Sequence, residues 1–202
     1  MGKIRNKKPI ILIGAGGHAE ACIDLLNEQE KFALAEIVGK KKEINKKISN
    51  KYKVNYADIS LKSLSKKYKY AMIGVGQIQS KKIKLEIFKK LKKLRFSLPK
   101  ILSKHAVVSK FCKIGDGTVI MHGAIIGPGV SIGENCIINS KALIEHGVTI
   151  GDNSHIATSV TINSGVKVGS GSFVGSGSTI KQLTKIKKNS FIKMRSRIIN
   201  NI

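Results

Sequence analysis

The second half of the chain carries an apolar residue at every sixth position. From Ala106 to Arg195 it divides into fifteen hexads without a slip. The third position of each is Ile or Val, from Val108, Ile114 and Ile120 through Ile144 and Ile156 to Ile192. The first position is always Ala, Cys, Thr, Val or Ser, and Gly fills the fourth position in six hexads. A helix needs apolar residues three and four apart, and Gly at this density would cost about 1 kcal/mol per residue there. Sandwiches and ordinary sheets have loops of irregular length. A strict period of six predicts a parallel β-helix, in which short strands wind up a column and each inward side chain stacks on its counterpart one coil below. Three hexads make one coil, so the fifteen hexads make about five coils. At about 4.8 Å between paired strands the column is about 24 Å tall.

The first hundred residues have a different rhythm. Pro9–Ile13 reads as a buried strand, followed by Gly14-Ala15-Gly16-Gly17-His18 and a helical stretch from Ala19 to about Glu30. Ala33–Val38 and Tyr70–Val75 are further strand-like runs, the last of them ending at Gly74-Val75-Gly76. A basic helical stretch, Ser80 to Leu94, follows. This alternation predicts a small Rossmann-like α/β domain over residues 1–100, with a parallel sheet and ligands at the C-terminal strand ends. The β-helix then occupies 101–202. A glycine-rich turn between strand and helix brings backbone N–H groups close to an anionic ligand. The sequence after the second strand is Val38-Gly39-Lys40-Lys41, with no acidic residue to hold a dinucleotide ribose. That excludes a nicotinamide dinucleotide and favours a nucleotide-sugar or another small polar acceptor.

Charge changes the picture less than its size suggests. The net charge is +25, but Lys supplies 33 of the 37 cations and Arg only 4. Residues 1–100 carry +17, whereas 111–180 carry −1. Aromatic residues are 5% of the chain, with no Trp and no alternation of aromatic and basic residues. Nucleic-acid binding is therefore not expected, and solvated lysine faces account for most of the excess. Some of it can steer a phosphate-bearing ligand. No apolar run approaches the ~20 residues that span a bilayer, and no apolar stretch of signal-peptide length follows the basic residues of Met1–Pro9. Cys22, Cys112 and Cys136 have no CxxC spacing. They fit a reducing cytoplasm rather than disulfides or a zinc ribbon, and Cys112 and Cys136, at the first hexad position, fit buried packing.

The hexads resemble those of the hexapeptide-repeat acyltransferases, which fold as left-handed β-helices; the handedness comes from that resemblance. Together with the preceding Ile-Gly-Ala-Gly-Gly-His18-Ala and Gly74-Val75-Gly76, the chain is similar to the sialic-acid O-acetyltransferase and UDP-4-amino-sugar N-acetyltransferase (NeuD/PglD-like) family. The most specific stretch is Asn139-Ser140-Lys141-Ala142-Leu143-Ile144-Glu145-His146, followed by Ile150-Gly151-Asp152-Asn153-Ser154-His155. The resemblance implies a homotrimer using acetyl-CoA to acetylate an amino or hydroxyl group of a sugar in surface-glycan biosynthesis. It implies His146 as general base and His155 at the thioester. It places Ser164, Gly165 and Ser176 along the CoA groove, and Gly16, Gly17, His18 and Gly76 against the acceptor. No metal is implied.

The chemistry of the residues agrees. Acetyl transfer needs a base to remove a proton as the nucleophile attacks, and an imidazole suits that near neutral pH. His146 and His155 are nine residues apart, half a coil, so within one column they fall on different faces. A site using both is then completed by a neighbouring subunit. Gly147 stands where the family has an acidic residue after the base, and Lys40-Lys41 stand where it has an acidic pair. The alternatives are a sugar-binding scaffold with the same column, and a γ-type carbonic anhydrase. The latter needs three convergent zinc histidines, a spacing that His122, His146 and His155 do not show. His105 precedes the hexads and, with His122, reads as structural.

Overall fold

The computed structural model describes residues 7–78 and 80–202. The first six residues of the expected N-terminal domain lie outside the described residues. The described residues form two compact units, 7–76 with 82–99, and 77, 78, 80 and 81 with 100–202.

The first unit is a four-stranded parallel sheet. Its strands are β1 (Lys8–Ile13), β2 (Phe32–Gly39), β3 (Tyr56–Ala57) and β4 (Tyr70–Ile73), in the order β3-β2-β1-β4. Side chains alternate across β1. Ile11 and Ile13 pack with Leu61 and Leu64 of α2 (Leu61–Lys67) and Phe88 and Leu91 of α3 (Lys82–Lys93). On the opposite face, Leu12 and Ala19 crowd Gly74, where an added Cβ would lie 2.9 Å from Leu12 Cδ1 and 3.0 Å from Ala19 Cα. Ala19 belongs to α1 (Gly17–Asn27). This helix starts two residues before the expected Ala19, because the N–H groups of Ala19 and Glu20 both close on the Gly16 carbonyl. It ends three residues before Glu30, one position past Leu26, the last of its buried residues. The sequence pattern missed β3 and α2, elements of two and seven residues, both too short to show a period.

The second unit is a left-handed parallel β-helix of seventeen two-residue strands, stacked in three parallel sheets. The first face stacks β5 (Ile101–Leu102), β8 (Val119–Ile120), β11 (Ile137–Ile138), β14 (His155–Ile156), β17 (Phe173–Val174) and β20 (Phe191–Ile192). The second stacks β6 (Val107–Val108), β9 (Ile125–Ile126), β12 (Leu143–Ile144), β15 (Thr161–Ile162), β18 (Thr179–Ile180) and β21 (Arg197–Ile198). The third stacks β7 (Lys113–Ile114), β10 (Ser131–Ile132), β13 (Thr149–Ile150), β16 (Lys167–Val168) and β19 (Lys185–Ile186). Each strand pairs with the one 18 residues on, as Ile144 does with Ile162.

The column runs one hexad further at each end than the fifteen, so His105 closes the first hexad instead of preceding the repeat. The third hexad position points inward throughout and forms one continuous core from Ile120 to Ile192. The first position fills the corners of that core. Thr118, Cys136, Ser154 and Ser172 stack there, and their hydroxyls and thiol donate to carbonyls of the coil above, as Thr118 Oγ1 does to Gly133 at 2.7 Å. Cys136 is thus packed inside the column, as expected.

Two further hexad rules follow from backbone geometry. The sixth position is left-handed at every corner from Gly117 to Arg195, with φ between 54° and 74°. Where the fourth position is Gly the coils approach closely; a Cβ on Gly115 would sit 2.6 Å from the Glu134 nitrogen. Density of Gly at that position therefore reports coil-to-coil contact, not flexibility.

Candidate active site

His146 lies at the corner where β12 turns from the second face to the third. It occupies the fifth hexad position, and its side chain is exposed. The residues above and below it at the same corner are Pro128, Ser164 and Gln182, stacked by backbone bonds such as Gly165 N–H to the His146 carbonyl at 3.1 Å. Ser164 Oγ is 2.9 Å from His146 Nε2. Glu145 does not touch the ring; its carboxylate accepts the His146 backbone N–H at 3.4 Å. The group that orients the imidazole is therefore a serine one coil up. Gly147 occupies the left-handed sixth position, with φ +68°, and brings no carboxylate to the imidazole. Gly165 lies beside Ser164 at the same corner, and the exposed Leu183 drapes over it, its Cδ2 2.8 Å from where a Cβ on Gly165 would stand.

His155 is in β14, on the first face, so a single column does not bring it to His146. It is only 6% exposed. Its Nδ1 bonds the Gln77 carbonyl, which only accepts, so the ring hydrogen is on Nδ1. Nε2 then accepts from Asn139 Nδ2 at 3.3 Å, and Asn139 Oδ1 is already taken by the Ser140 N–H at 2.8 Å. Gln77 also donates through Nε2 to the Asn153 carbonyl at 2.8 Å, and Lys81 bonds Asn189. Gln77 and Lys81 are thus both bonded to coils of the column. Phe173 meets the His155 ring edge-on at 5.2 Å, and Phe191 stacks on Phe173 at 5.1 Å.

Ser176 stands at a third place, the corner between the first and second faces, where Thr158 Oγ1 donates to its hydroxyl at 2.9 Å. The expected CoA-contacting residues therefore fall on one face and two different corners of the column. His122 bonds Ser103 Oγ at 2.8 Å, with the His105 ring 6.0 Å away. Among the described residues no group of three or more His, Cys, Asp or Glu is placed to hold a metal ion, and no helix is long and apolar enough to cross a membrane.

In the first unit the glycine-rich turn lies at the C-terminal end of β1, where the strand order reverses between β1 and β4. Open α/β sheets bind ligands at such a reversal. Gly14 has φ +129°, and a Cβ there would lie 2.9 Å from the Gly74 carbonyl, so two strand ends meet closely. Gly16 and Gly17 are exposed at the start of α1, with open space where a Cβ would stand. A Cβ on Gly76 would lie 3.5 Å from His18 Cβ, so the two residues adjoin. The four residues expected to touch the acceptor are therefore neighbours. Sequence reasoning missed Lys46, whose Nζ donates to the Ala15 carbonyl at 2.7 Å; a lysine among many gave no signal. It also missed Gln77 and the Ser164–His146 bond. The latter was legible, because 18 residues is one coil.

Cys22 Sγ lies 3.6 Å from His18 Nε2, one helical turn on. Burial pushes the Cys22 thiol up to about 12, against the opposing charge of Lys84. It therefore stays protonated and unreactive at neutral and mildly alkaline pH. In the folded protein iodoacetamide should label half-buried Cys112 and spare Cys22, and urea should expose all three thiols. Mass spectrometry of the labelled peptides checks this; labelling of native Cys22 ahead of Cys112 would refute it.

A column of hexapeptide coils with an exposed corner imidazole defines the class, the bacterial hexapeptide transferases. Residues 105–146, 129–164 and 147–182 match the bacterial transferase hexapeptide repeats, and residues 9–91 match the PglD N-terminal domain. With both parts in this order, the chain belongs to the NeuD/PglD-like family of hexapeptide-repeat acyltransferases. No curated protein matches the chain in sequence. Solved structures share the fold. The acetyltransferase domain of PglB from Neisseria gonorrhoeae FA1090, in complex with acetyl coenzyme A, superposes with a TM-score of 0.88 at 24% identity, over 98% of this chain and 93% of that one. PerB from Caulobacter crescentus, in complex with CoA and GDP-perosamine, gives 0.88 at 23%, over 96% and 90%. WeeI from Acinetobacter baumannii AYE gives 0.60 at 15%, over 94% and 96%.

Proposed function

We propose that the chain is a cytoplasmic, acetyl-CoA-dependent acetyltransferase that acetylates an amino or hydroxyl group of a sugar, as a nucleotide-amino-sugar or a sialic acid, in surface-glycan biosynthesis. The observation that carries this is the exposed imidazole of His146, oriented by Ser164, on a chain of this family. Both PglB and PerB carry the donor or its free thiol in their structures, and PerB carries a nucleotide-sugar as well.

In this reading His146 Nε2–H donates to Ser164 Oγ, which leaves the lone pair on Nδ1. That nitrogen takes the proton from the acceptor amine or hydroxyl as the latter attacks the thioester carbon. The new C–N or C–O bond forms, the C–S bond breaks, and the CoA thiolate takes the proton back from the imidazolium. No acetyl-enzyme is needed. Gly16, Gly17, His18 and Gly76 hold the acceptor; Gly165 and Ser176 line the donor path with Ser164, and His155 meets the donor.

A homotrimer completes the site in this reading. His146 and Ser176 stand at different corners and His155 on a face of one column, so in this reading a neighbour brings two of them together. The second face turns Val107 and Ile125, 66% and 45% exposed, outward to meet such a neighbour. Thiol release from acetyl-CoA across a panel of nucleotide-amino-sugars and sialic acids tests the activity, with the acetylated product confirmed by mass. Failure of every acceptor to release thiol would overturn it. A Ser164→Ala variant should lose about five-fold in kcat, the worth of one neutral hydrogen bond, with the acceptor KM unchanged.

A further inference from the structure

The coils fix the direction of each hexad position. Strand N–H groups at the second and fourth positions donate to the coil above, as those of Phe173 and Gly175 do to the Ser190 and Ile192 carbonyls, at 2.9 Å each. A Cβ at the fourth position points the same way; on Gly175 it would stand 2.5 Å from the Met194 nitrogen. In the last coil these positions are turned out of the C-terminal end of the column. Asn201 Oδ1 and the Ile202 carbonyl cover the N–H groups of Lys185 and Lys187, both at 2.7 Å. Those of Phe191, Lys193, Arg197 and Ile199 meet no such acceptor among the described residues. The fourth-position side chains there are Lys187, Lys193 and Ile199, all exposed. Phe191, Met194 and Ile199 are 51%, 66% and 53% exposed. Residues 185–202 carry six cations, and no Asp or Glu follows Asp152 in the chain. The end thus gathers exposed apolar side chains, cations and outward N–H donors, with no carboxylate of its own coil to offset them.

We infer that the C-terminal end of the column docks on an anionic lipid bilayer surface, with Lys187, Lys193 and Arg195 among the headgroups and Met194, Ile199 and Phe191 at the acyl boundary. The acetyltransferase reading concerns the His146 corner, so the two stand or fall separately. Adsorption to a bilayer scales with the apolar area buried and with the attraction of Lys and Arg to anionic headgroups, and this end supplies both. The N–H donors of β20 and β21 face phosphate oxygens in the same pose. A second copy seated end to end brings the same six cations and is repelled. A nucleic acid uses the cations but gains nothing from Met194 and Ile199. Adsorption of this kind needs no helix of spanning length.

Co-sedimentation with vesicles tests this. The full chain should pellet with phosphatidylcholine and phosphatidylglycerol in equal parts, stay in solution with phosphatidylcholine alone, and be released by about 0.5 M salt, where charges are screened. Lys187→Gln with Lys193→Gln should weaken partitioning about thirtyfold, the scale of two cations at an anionic surface. Met194→Ser with Ile199→Ser, which keeps every charge, should weaken it about tenfold. Lys62→Gln with Lys66→Gln, which removes two exposed cations of α2, should change it by less than about twofold, because screening confines the attraction to the docked end. Melting curves confirm that each variant is folded. No binding of the unaltered chain to the anionic vesicles overturns the proposal. Equal losses for the α2 pair and the end pair overturn it too, since the attraction is then diffuse. Full binding by the Met194–Ile199 variant also overturns it, and leaves a site for soluble polyanions, which retention on heparin then reads.

Discussion

Replacing His146 by alanine should lower kcat by about 10²–10⁴-fold, the span that general acid–base groups supply, while the thermal midpoint stays where it was. The two halves of this expectation have separate causes. The imidazole is exposed at a corner and its ring bonds one partner, Ser164, so its removal leaves no cavity and strands no buried group. Surface changes of that kind stay within about 0.5 kcal/mol. The loss in turnover follows if Nδ1 is the atom that takes the acceptor proton, because nothing nearby replaces it: the Glu145 carboxylate is turned onto the backbone. The KM for acetyl-CoA should hold, since the thioester is gripped elsewhere. Steady-state rates with a responsive acceptor, read beside a melting curve, decide it. A variant that keeps a tenth or more of the wild-type rate removes His146 from the chemistry.

The contrast between His146 and His155 explains why one site residue was easier to place from sequence than the other. A fifth-position side chain stands at a corner, so periodicity alone shows that His146 projects outward. His155 is at the second position, on a flat face, and what covers a face comes from elsewhere in the chain. Gln77, which bonds His155 through its carbonyl, is 78 residues away, in a segment with no hexad pattern. Local periodicity carries no information about such a partner. The same division holds for the fold. The β-helix was readable because each rung repeats one rule, Ile or Val at the third position, and the rule is enforced by burial. The first end hexad, 100–105, escaped because Lys100 breaks the small-residue rule at the first position and Leu102 the β-branched rule at the third, whereas 196–201 keeps both rules with Ser196 and Ile198 and was legible. In the first unit, β1 and α1 were legible from their apolar runs, whereas β3 is a two-residue edge strand defined only by pairing with Val38 and Gly39.

Truncating Ile156 to alanine tests what holds the column up. Its side chain is fully buried and sits between Ile138 and Val174, its register partners in the coils below and above. Removal of an isoleucine from such a place costs about 2–5 kcal/mol, transfer free energy plus the cavity that remains. A parallel β-helix has little means of closing that cavity. Each strand is two residues long and fixed by hydrogen bonds to both neighbours: the His155 N–H donates to the Ser172 carbonyl above at 2.9 Å, and the Ile156 carbonyl accepts from the Asn139 N–H below at 2.8 Å. The upper part of the range is therefore expected. The control is Thr179→Ala on the outer surface of β18, which removes a comparable number of atoms from an exposed position and should shift stability by no more than about 0.5 kcal/mol. Urea unfolding followed by circular dichroism compares the two. The variant's midpoint should fall steeply with an unchanged slope, since the native surface is the same. Equal midpoints for the two variants would mean that the stacked aliphatic interior is not what stabilises the coils, and that the corner hydrogen bonds of Thr118, Cys136, Ser154 and Ser172 carry that load instead.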